Sequence, residues 1–482
     1  MKRPAAVPTA AFILALVLTS LVAAPPALAQ PFGSTISATE FPHDSFGVAA
    51  RVVATRHVFG IGATIVTFST GTRLIVKQTH FTPRRVSVVA SFGAGRAGVS
   101  ADLVHALWAT ALFPIGGTRH LSYDELDAWQ QSSGHLVNVT LVPGVGTFRL
   151  QGEIPSKDLA TELILLTAYA REPGFRADLV TKIASVGAML GKQIEGDPAM
   201  RFTRAVQRKL VGRRYQELPD QADLAATTGS EMQALLGPAF AKAPAIAIVG
   251  DIDVDVAIRA VATTLAAGDS RPVLRRGIAA APMPTKRPQQ ATFVDTGTTA
   301  DRLLGFYWRL PDLRTAPRIE QPARVAAALI AARLAVSTPS TSSAALPAVS
   351  RAVVPPDLMG GGYLGVAIRD GAVPLDGTRV LLAGTMNDLA AGRFTVEDLD
   401  HARQSVAAEI GAEGMSNEWW AQRLSLALRD PAMGQAVRIE AGVVDVDRAE
   451  VVACIRRYFA GRAPLVVVAD AREAGETKGG SR

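Results

Sequence analysis

The chain has 482 residues, of which 50 are basic and 43 acidic for a formal charge of +7, and it contains one cysteine. At roughly 150 residues per domain this length predicts two or three domains with cores of their own and excludes a small scaffold stapled by disulfides. The basic residues are scattered and not gathered into blocks, which predicts a solvated basic surface and no nucleic-acid partner.

Met1-Lys2-Arg3, a mostly apolar stretch from Ala5 to Ala24, and Ala27-Leu28-Ala29 before Gln30 have the order of a signal peptide. Residues 1–29 are therefore expected to be removed on export, giving a periplasmic or secreted protein. Pro25 and Pro26 interrupt the apolar run, and no later stretch offers the roughly 18 apolar residues of a spanning helix, so no membrane span is expected after cleavage. The segment 30–54 lacks a clear period and reads as a leader draped over the first domain.

Arg73–Lys77 and Val86–Ala90 alternate as strands around a turn at Phe81–Arg85, and a helix is predicted over Ala101–Phe113. Ser122 with Glu125 three residues on marks the start of a short helix. The strand pair His135–Thr140 and Gly146–Gln151 follows, then two or three helices over Ser156–Val211 and a closing strand at Ala245–Val249. Between Ala267 and Gln290 six Gly and Pro residues are interspersed with Arg and Lys, which marks a linker, 268–290. Beyond it, Tyr307–Leu310, Ala323–Leu334 and Leu364–Ile368 fit the same plan.

The two sides repeat one another. Phe175 and Phe394, Glu231 and Glu450, Phe240 and Phe459, and Asp251 and Asp470 are each separated by 219 residues. Several matches at one offset indicate a duplicated domain. The expected class is α+β, with two homologous domains (55–267 and 291–475, then a tail, 476–482), each a mostly antiparallel sheet with helices packed on one face.

Few motifs carry chemistry. Gly93-Ala-Gly95-Arg-Ala-Gly98 is a literal GxGxxG, but its context is a hairpin strand without a following acidic strand end, so a strand-to-helix connection is expected in place of a nucleotide loop. Asp251, Asp253 and Asp255 alternate like a calcium loop, yet Val256 and Ala262 stand where Gly and Glu are needed, and Asp253 is better placed as a helix cap. Cys454, among Val451, Val452 and Ile455, reads as a buried structural thiol. None of the seven histidines pairs with another at the four-residue spacing of a helical zinc site. His105, His120 and His135 step by fifteen through helix, loop and strand, with no carboxylate in an obvious supporting role.

The stretches GTRLIVKQTHFTPRRVSVVASFGAG, ALFPIGGTRHLSYDELDAW, FRLQGEIPSKDLATELILLTAYAREPGFRADLV and APAIAIVGDIDVDVAI together resemble a first-type domain of the insulinase-like, or pitrilysin-family, zinc metallopeptidases, the inverzincins. Arg302–Ala469 resembles the second-type domain more weakly, and the likeness is to the C-terminal half of long bacterial periplasmic members. What the resemblance implies is a zinc site on H-x-x-E-H plus a later Glu, where the motif Glu removes a proton from zinc-bound water. Here the motif position reads His105-Ala106-Leu107-Trp108-Ala109, with Trp108 in place of the base and Ala109 in place of the second ligand. The later helix, Phe175–Gln193, offers Asp178, with Lys182 about where the third ligand falls. The resemblance also implies an Arg and a Tyr that steady an oxyanion, for which Arg351 and Tyr363 are weak candidates without the family's compact spacing.

The expectation is thus a non-catalytic half-molecule with no catalytic residue, metal or cofactor of its own. It would form a heterodimer with a separate insulinase-like subunit that carries HxxEH and zinc, and the two halves would close on peptide substrates. The alternatives are a scaffold or peptide-binding protein that has left proteolysis, or a peptidase with a rearranged metal site.

Overall fold

The computed structural model describes residues 41–273, 303–311, 316–337, 349–353, 362–369, 375–429 and 445–469. The expected signal peptide at 1–29, most of the expected linker and the tail lie outside them. The first sheet is built from β1 (Val52–Val58), β2 (Ala63–Phe68), β3 (Arg73–Gln78), β4 (Arg85–Phe92), β5 (Thr140–Pro143), β6 (Phe148–Pro155) and β7 (Ala245–Gly250). With these go α1 (Ala101–Gly116, wound as a 3₁₀ helix), α2 (Tyr123–Ser133), α3 (Leu159–Arg171), α4 (Ala177–Gly196), α5 (Pro198–Leu210), α6 (Gln221–Ala226), α7 (Gly229–Phe240) and α8 (Val254–Ala262). The second domain contributes β8 (Leu303–Leu310), α9 (Glu320–Ser337), β9 (Val349–Val353), β10 (Gly362–Arg369), α10 (Leu375–Ala390), α11 (Val396–Gly414), α12 (Asn417–Arg429), α13 (Arg448–Tyr458) and β11 (Leu465–Ala469).

The duplication is explicit in three dimensions. The first sheet has the order β1-β2-β3-β7-β4-β6-β5, and its last four strands are repeated by the second sheet, β11-β8-β10-β9. Helices α1, α4, α5 and α7 recur as α9, α11, α12 and α13 at the offset read from the sequence. The starts of α7 and α13 correspond to the residue: Glu231 Oε2 accepts the Thr228 N–H at 2.8 Å, and Glu450 Oε2 accepts the Asp447 N–H at 2.9 Å. The class is α+β with two homologous, mostly antiparallel domains; β3 with β7 is the one parallel pair among the described strands.

Local chemistry explains most elements. Ser122 and Glu125 form the reciprocal cap of α2, and the Asp253 carboxylate accepts the Asp255 and Val256 N–H groups at the start of α8. Gly93 and Gly95 adopt φ of +56° and +55°, and a Cβ on Gly95 would stand 2.3 Å from the Thr147 nitrogen. That crossing of two backbones accounts for the GxGxxG stretch as a packing device. Cys454 is buried, and burial pushes its thiol up to about 12.

Two strand expectations are corrected. β3 and β4 are not neighbours, because β7 runs between them, parallel to β3 and antiparallel to β4. All six β7 residues are buried, as a continuous apolar run in a sheet interior should be. His135–Val139 is not a strand either. Its amides are taken by side chains of α3 and the turn before it: Leu136 N–H donates to Asp158 Oδ2 at 3.2 Å and Asn138 N–H to Glu162 Oε2 at 3.0 Å. The carboxylates replace a neighbouring strand.

Each sheet carries its own domain's helices on one face and a helix of the other domain on the opposite face. Ala421, Leu424 and Leu428 of α12 pack on Ile75, Val89, Ala245, Ala247 and Val249 of the first sheet. Reciprocally, Phe202, Val206 and Leu210 of α5 pack on Tyr307, Leu465 and Val467 of the second. Polar contacts lock the α12 seam: Arg429 donates to the Ser91 and Gly93 carbonyls, Arg73 to the Leu428 carbonyl, and Lys77 lies 4.8 Å from the Trp420 ring centre. Burial lowers the Arg429 guanidinium to about 10.

The leader lies on the first domain from residue 41 onward. Phe41 meets Trp129 edge-on with ring centres 5.3 Å apart, Phe46 is buried, and Ala50 N–H donates to the Ala262 carbonyl at 2.9 Å. No helix among the described residues is long and apolar enough to cross a membrane.

Candidate functional site

Three residues per turn in the 3₁₀-wound α1 set His105 and Trp108 in one row, one above the other. His105 Nε2 lies 2.8 Å from Glu231 Oε1, and its side chain is 15% exposed. Glu231 is the same carboxylate that caps α7, so the imidazole is tied to a structural residue that the duplication also places in the second domain. Trp108 is buried, and its indole Nε1–H donates to Thr227 Oγ1 at 2.9 Å. Across from the ring stands Gly187 of α4, where a Cβ would be 3.2 Å from the indole. Ala109 is fully buried.

These residues do not fit a zinc ion. Trp108 and Ala109 offer no ligand atom, and among the described residues no third His, Cys, Asp or Glu joins His105 and Glu231. Lys182 and Asp178 on α4 are exposed; Gly187 of α4 stands against the indole, and a Cβ there would press on the ring at 3.2 Å. A packed aromatic ring thus occupies the position that the resemblance assigns to the catalytic base. Trp108→Ala is expected to cost about 3–5 kcal/mol of stability through the cavity it leaves, measurable by urea unfolding, whereas loss of a mere surface residue would leave the midpoint unchanged.

The oxyanion candidates do not converge. Arg351 stands in β9 opposite Val366, and Tyr363 in β10 opposite Arg309, so strand alternation puts the two positions on opposite faces of the sheet. The Tyr363 ring packs edge-on to Tyr307 at 5.9 Å beneath α5, and burial, helped by Glu217, pushes its phenol up to about 12. A phenol held there anchors the domain interface.

The three histidines spaced by fifteen do not gather; each has its own carboxylate. His105 meets Glu231, His135 Nδ1 lies 2.8 Å from Asp158 Oδ1, and His120 Nε2 lies 2.9 Å from Asp44 Oδ1 and 3.3 Å from Glu172 Oε2. The last group was invisible in the sequence, since its members come from the leader, a loop and the end of α3, with no spacing to connect them.

No family sequence model and no curated protein sequence matches the chain. Solved structures do. The periplasmic protease PqqL from Escherichia coli matches with a TM-score of 0.68 at 16% identity, over 95% of this chain and 50% of that one. The ferredoxin protease FusC, as a point mutant in complex with Arabidopsis ferredoxin, matches with a TM-score of 0.68 at 14% identity, over 98% of this chain and 51% of that one. A peptidase M16 inactive domain from Pseudomonas fluorescens matches with a TM-score of 0.68 at 15% identity, over 88% of this chain and 98% of that one. The fold is that of peptidase M16. The chain spans about half the length of PqqL and FusC, and M16 halves include an inactive one with the same architecture.

Proposed function

We propose that this chain is a non-catalytic M16-type half that pairs in the periplasm with a separate half carrying HxxEH and zinc, and that the two enclose peptide substrates. The observation that carries this reading is the filled metal position: Trp108 seated on Gly187, Ala109 buried beside it, and His105 tied to Glu231. The base and two ligands of the H-x-x-E-H pattern are missing together, and the carboxylate against His105, Glu231, is bound to the imidazole and to the Thr228 N–H, so the position holds neither a ligand set nor a free base for a metal-bound water. What the chain retains is a rigid two-domain body, its sheets locked by α5 and α12, suited to forming one wall of a chamber. The exported location rests on the signal-like order of residues 1–29.

The test is cleavage of a mixed quenched-fluorescence peptide library by the mature chain alone, with zinc and with a chelator, followed by the same assay on whatever exported HxxEH half co-purifies with it. The expected result is no turnover alone and chelator-sensitive turnover for the pair that exceeds that of the catalytic half by itself. Chelator-sensitive turnover by the lone chain, abolished by His105→Ala, would sink the reading.

A further inference from the structure

We propose that Asp44, His120 and Glu172 form a binding site for a first-row divalent transition ion, of which zinc is the natural probe, and that the ion pins the leader to the first domain. One potential ligand atom from each residue lies within 4.8 Å of the others. His120 Nε2 is 2.9 Å from Asp44 Oδ1 and 3.3 Å from Glu172 Oε2. Ligand bonds of about 2.1 Å around one ion bring neighbouring ligand atoms to about 3.0–3.4 Å, so the imidazole already stands at coordinating distance from both carboxylates.

The second observation is Glu172 itself. Its side chain is 6% exposed, yet among the described residues its carboxylate accepts a single long hydrogen bond, from the Asp44 N–H at 3.3 Å, itself inside the cluster. Arg171 acts on Glu172 through charge, but its guanidinium donates to the Phe46, Thr264 and Ala267 carbonyls, so among the described residues the buried carboxylate takes no hydrogen bond from outside the group, which is costly unless a cation binds it directly. His120 as a neutral donor can give its one Nε2 proton to only one of the two oxygens.

The surroundings orient the ligands. Arg119 Nη1 donates to Asp44 Oδ2 at 2.6 Å, which leaves Oδ1 turned toward His120 as a single ligand atom and offsets one of the two negative charges. The Arg119 N–H also donates to the Glu172 carbonyl at 2.7 Å, fixing the loop that bears His120 against the end of α3. One imidazole and two carboxylates select zinc or its neighbours over magnesium and calcium, which favour all-oxygen sites. Coordination through Nε2 uses the neutral ring with its proton on Nδ1, so a protonated His120 releases one proton to solvent and a neutral one exchanges its Nε2 proton for one at Nδ1; the remaining positions on the ion are left for water. Asp44 lies between Phe41 and Phe46, the two aromatic anchors of the leader, so the ion would close a third attachment between them.

The experiment uses the full mature chain without a histidine tag, stripped with chelator, incubated with Zn(II) and desalted. Bound metal per chain is read by elemental analysis and native mass spectrometry, and the melting temperature is followed with and without zinc. The expected result is one retained zinc per chain with a rise in melting temperature, both lost in His120→Ala and in Asp44→Asn, and both kept in His105→Ala. Asp44→Asn keeps the fold in reach of measurement because that side chain is 46% exposed. No retained zinc in the parent, or retention unchanged in His120→Ala, would overturn the proposal. These readouts need neither a partner nor turnover, so they stand apart from the test of the half-molecule reading.

Discussion

Leu424→Ala, a change in the second domain, is expected to destabilise the first domain by about 2–5 kcal/mol, the usual cost of emptying a buried leucine site. Leu424 is 1% exposed, and its neighbours are strands of the first sheet, Val89 of β4 and Ala247 and Val249 of β7 among them. Without α12 those strands would turn an apolar face to water, and the parent and variant would then differ in more than one methylene cluster. Hydrogen exchange is the deciding measurement. Protection of β7 amides should fall in Leu424→Ala, and Phe202→Ala on α5 should do the same to β11, because the two helices exchange places across the domain boundary. If β7 exchange is untouched while only the second domain loosens, the reciprocal packing does not couple the two folds.

Glu162→Gln is expected to remove a large share of the protein's loss of stability between about pH 4.5 and pH 8. Glu162 is fully buried; burial, with Asp158 adding to it and the Asn138 N–H opposing it, raises its carboxyl from 4.5 to about 8. The sign follows from proton counting. Below about pH 4.5 folded and unfolded chains both hold the proton, and this group gives no pH dependence. Between there and about pH 8 the unfolded chain has released it while the folded chain keeps it, so stability falls as pH rises, by at most about 1.4 kcal/mol per pH unit. Above about pH 8 the slope from this group ends. Glutamine keeps an oxygen for the Asn138 N–H and has no proton to lose. The melting temperature of Glu162→Gln relative to the parent should therefore climb from pH 5 to about pH 8 and level off above it; a constant difference from pH 5 to pH 9 would show that Glu162 is ionised in the folded chain.

The same buried carboxylate shows where sequence reading stopped. A hydrophobic alternation made His135–Thr140 a strand, and nothing local announces that Asp158 and Glu162, on an element more than twenty residues away, would satisfy its amides. Likewise a strand, a turn and a strand read as a hairpin over Arg73–Ala90, because pairing of neighbours is the cheapest guess; β7 separates them. Its uninterrupted apolar run did signal burial on both faces. The helix that covers the second face could not be inferred, since α12 belongs to the other repeat.

What the sequence determined by itself was whatever is written in short-range chemistry or in repetition: the caps of α2 and α8, the constant offset between the two domains and the α+β class. Capping depends on residues three apart, and duplication preserves spacing, so both survive as readable text. Tertiary structure alone decided that Trp108 fills its place against Gly187, that Arg351 and Tyr363 lie on opposite faces, that α5 and α12 are exchanged, and that Asp44, His120 and Glu172 meet. Each of these joins residues far apart along the chain, where strand order and helix packing set the geometry and sequence spacing carries no constraint.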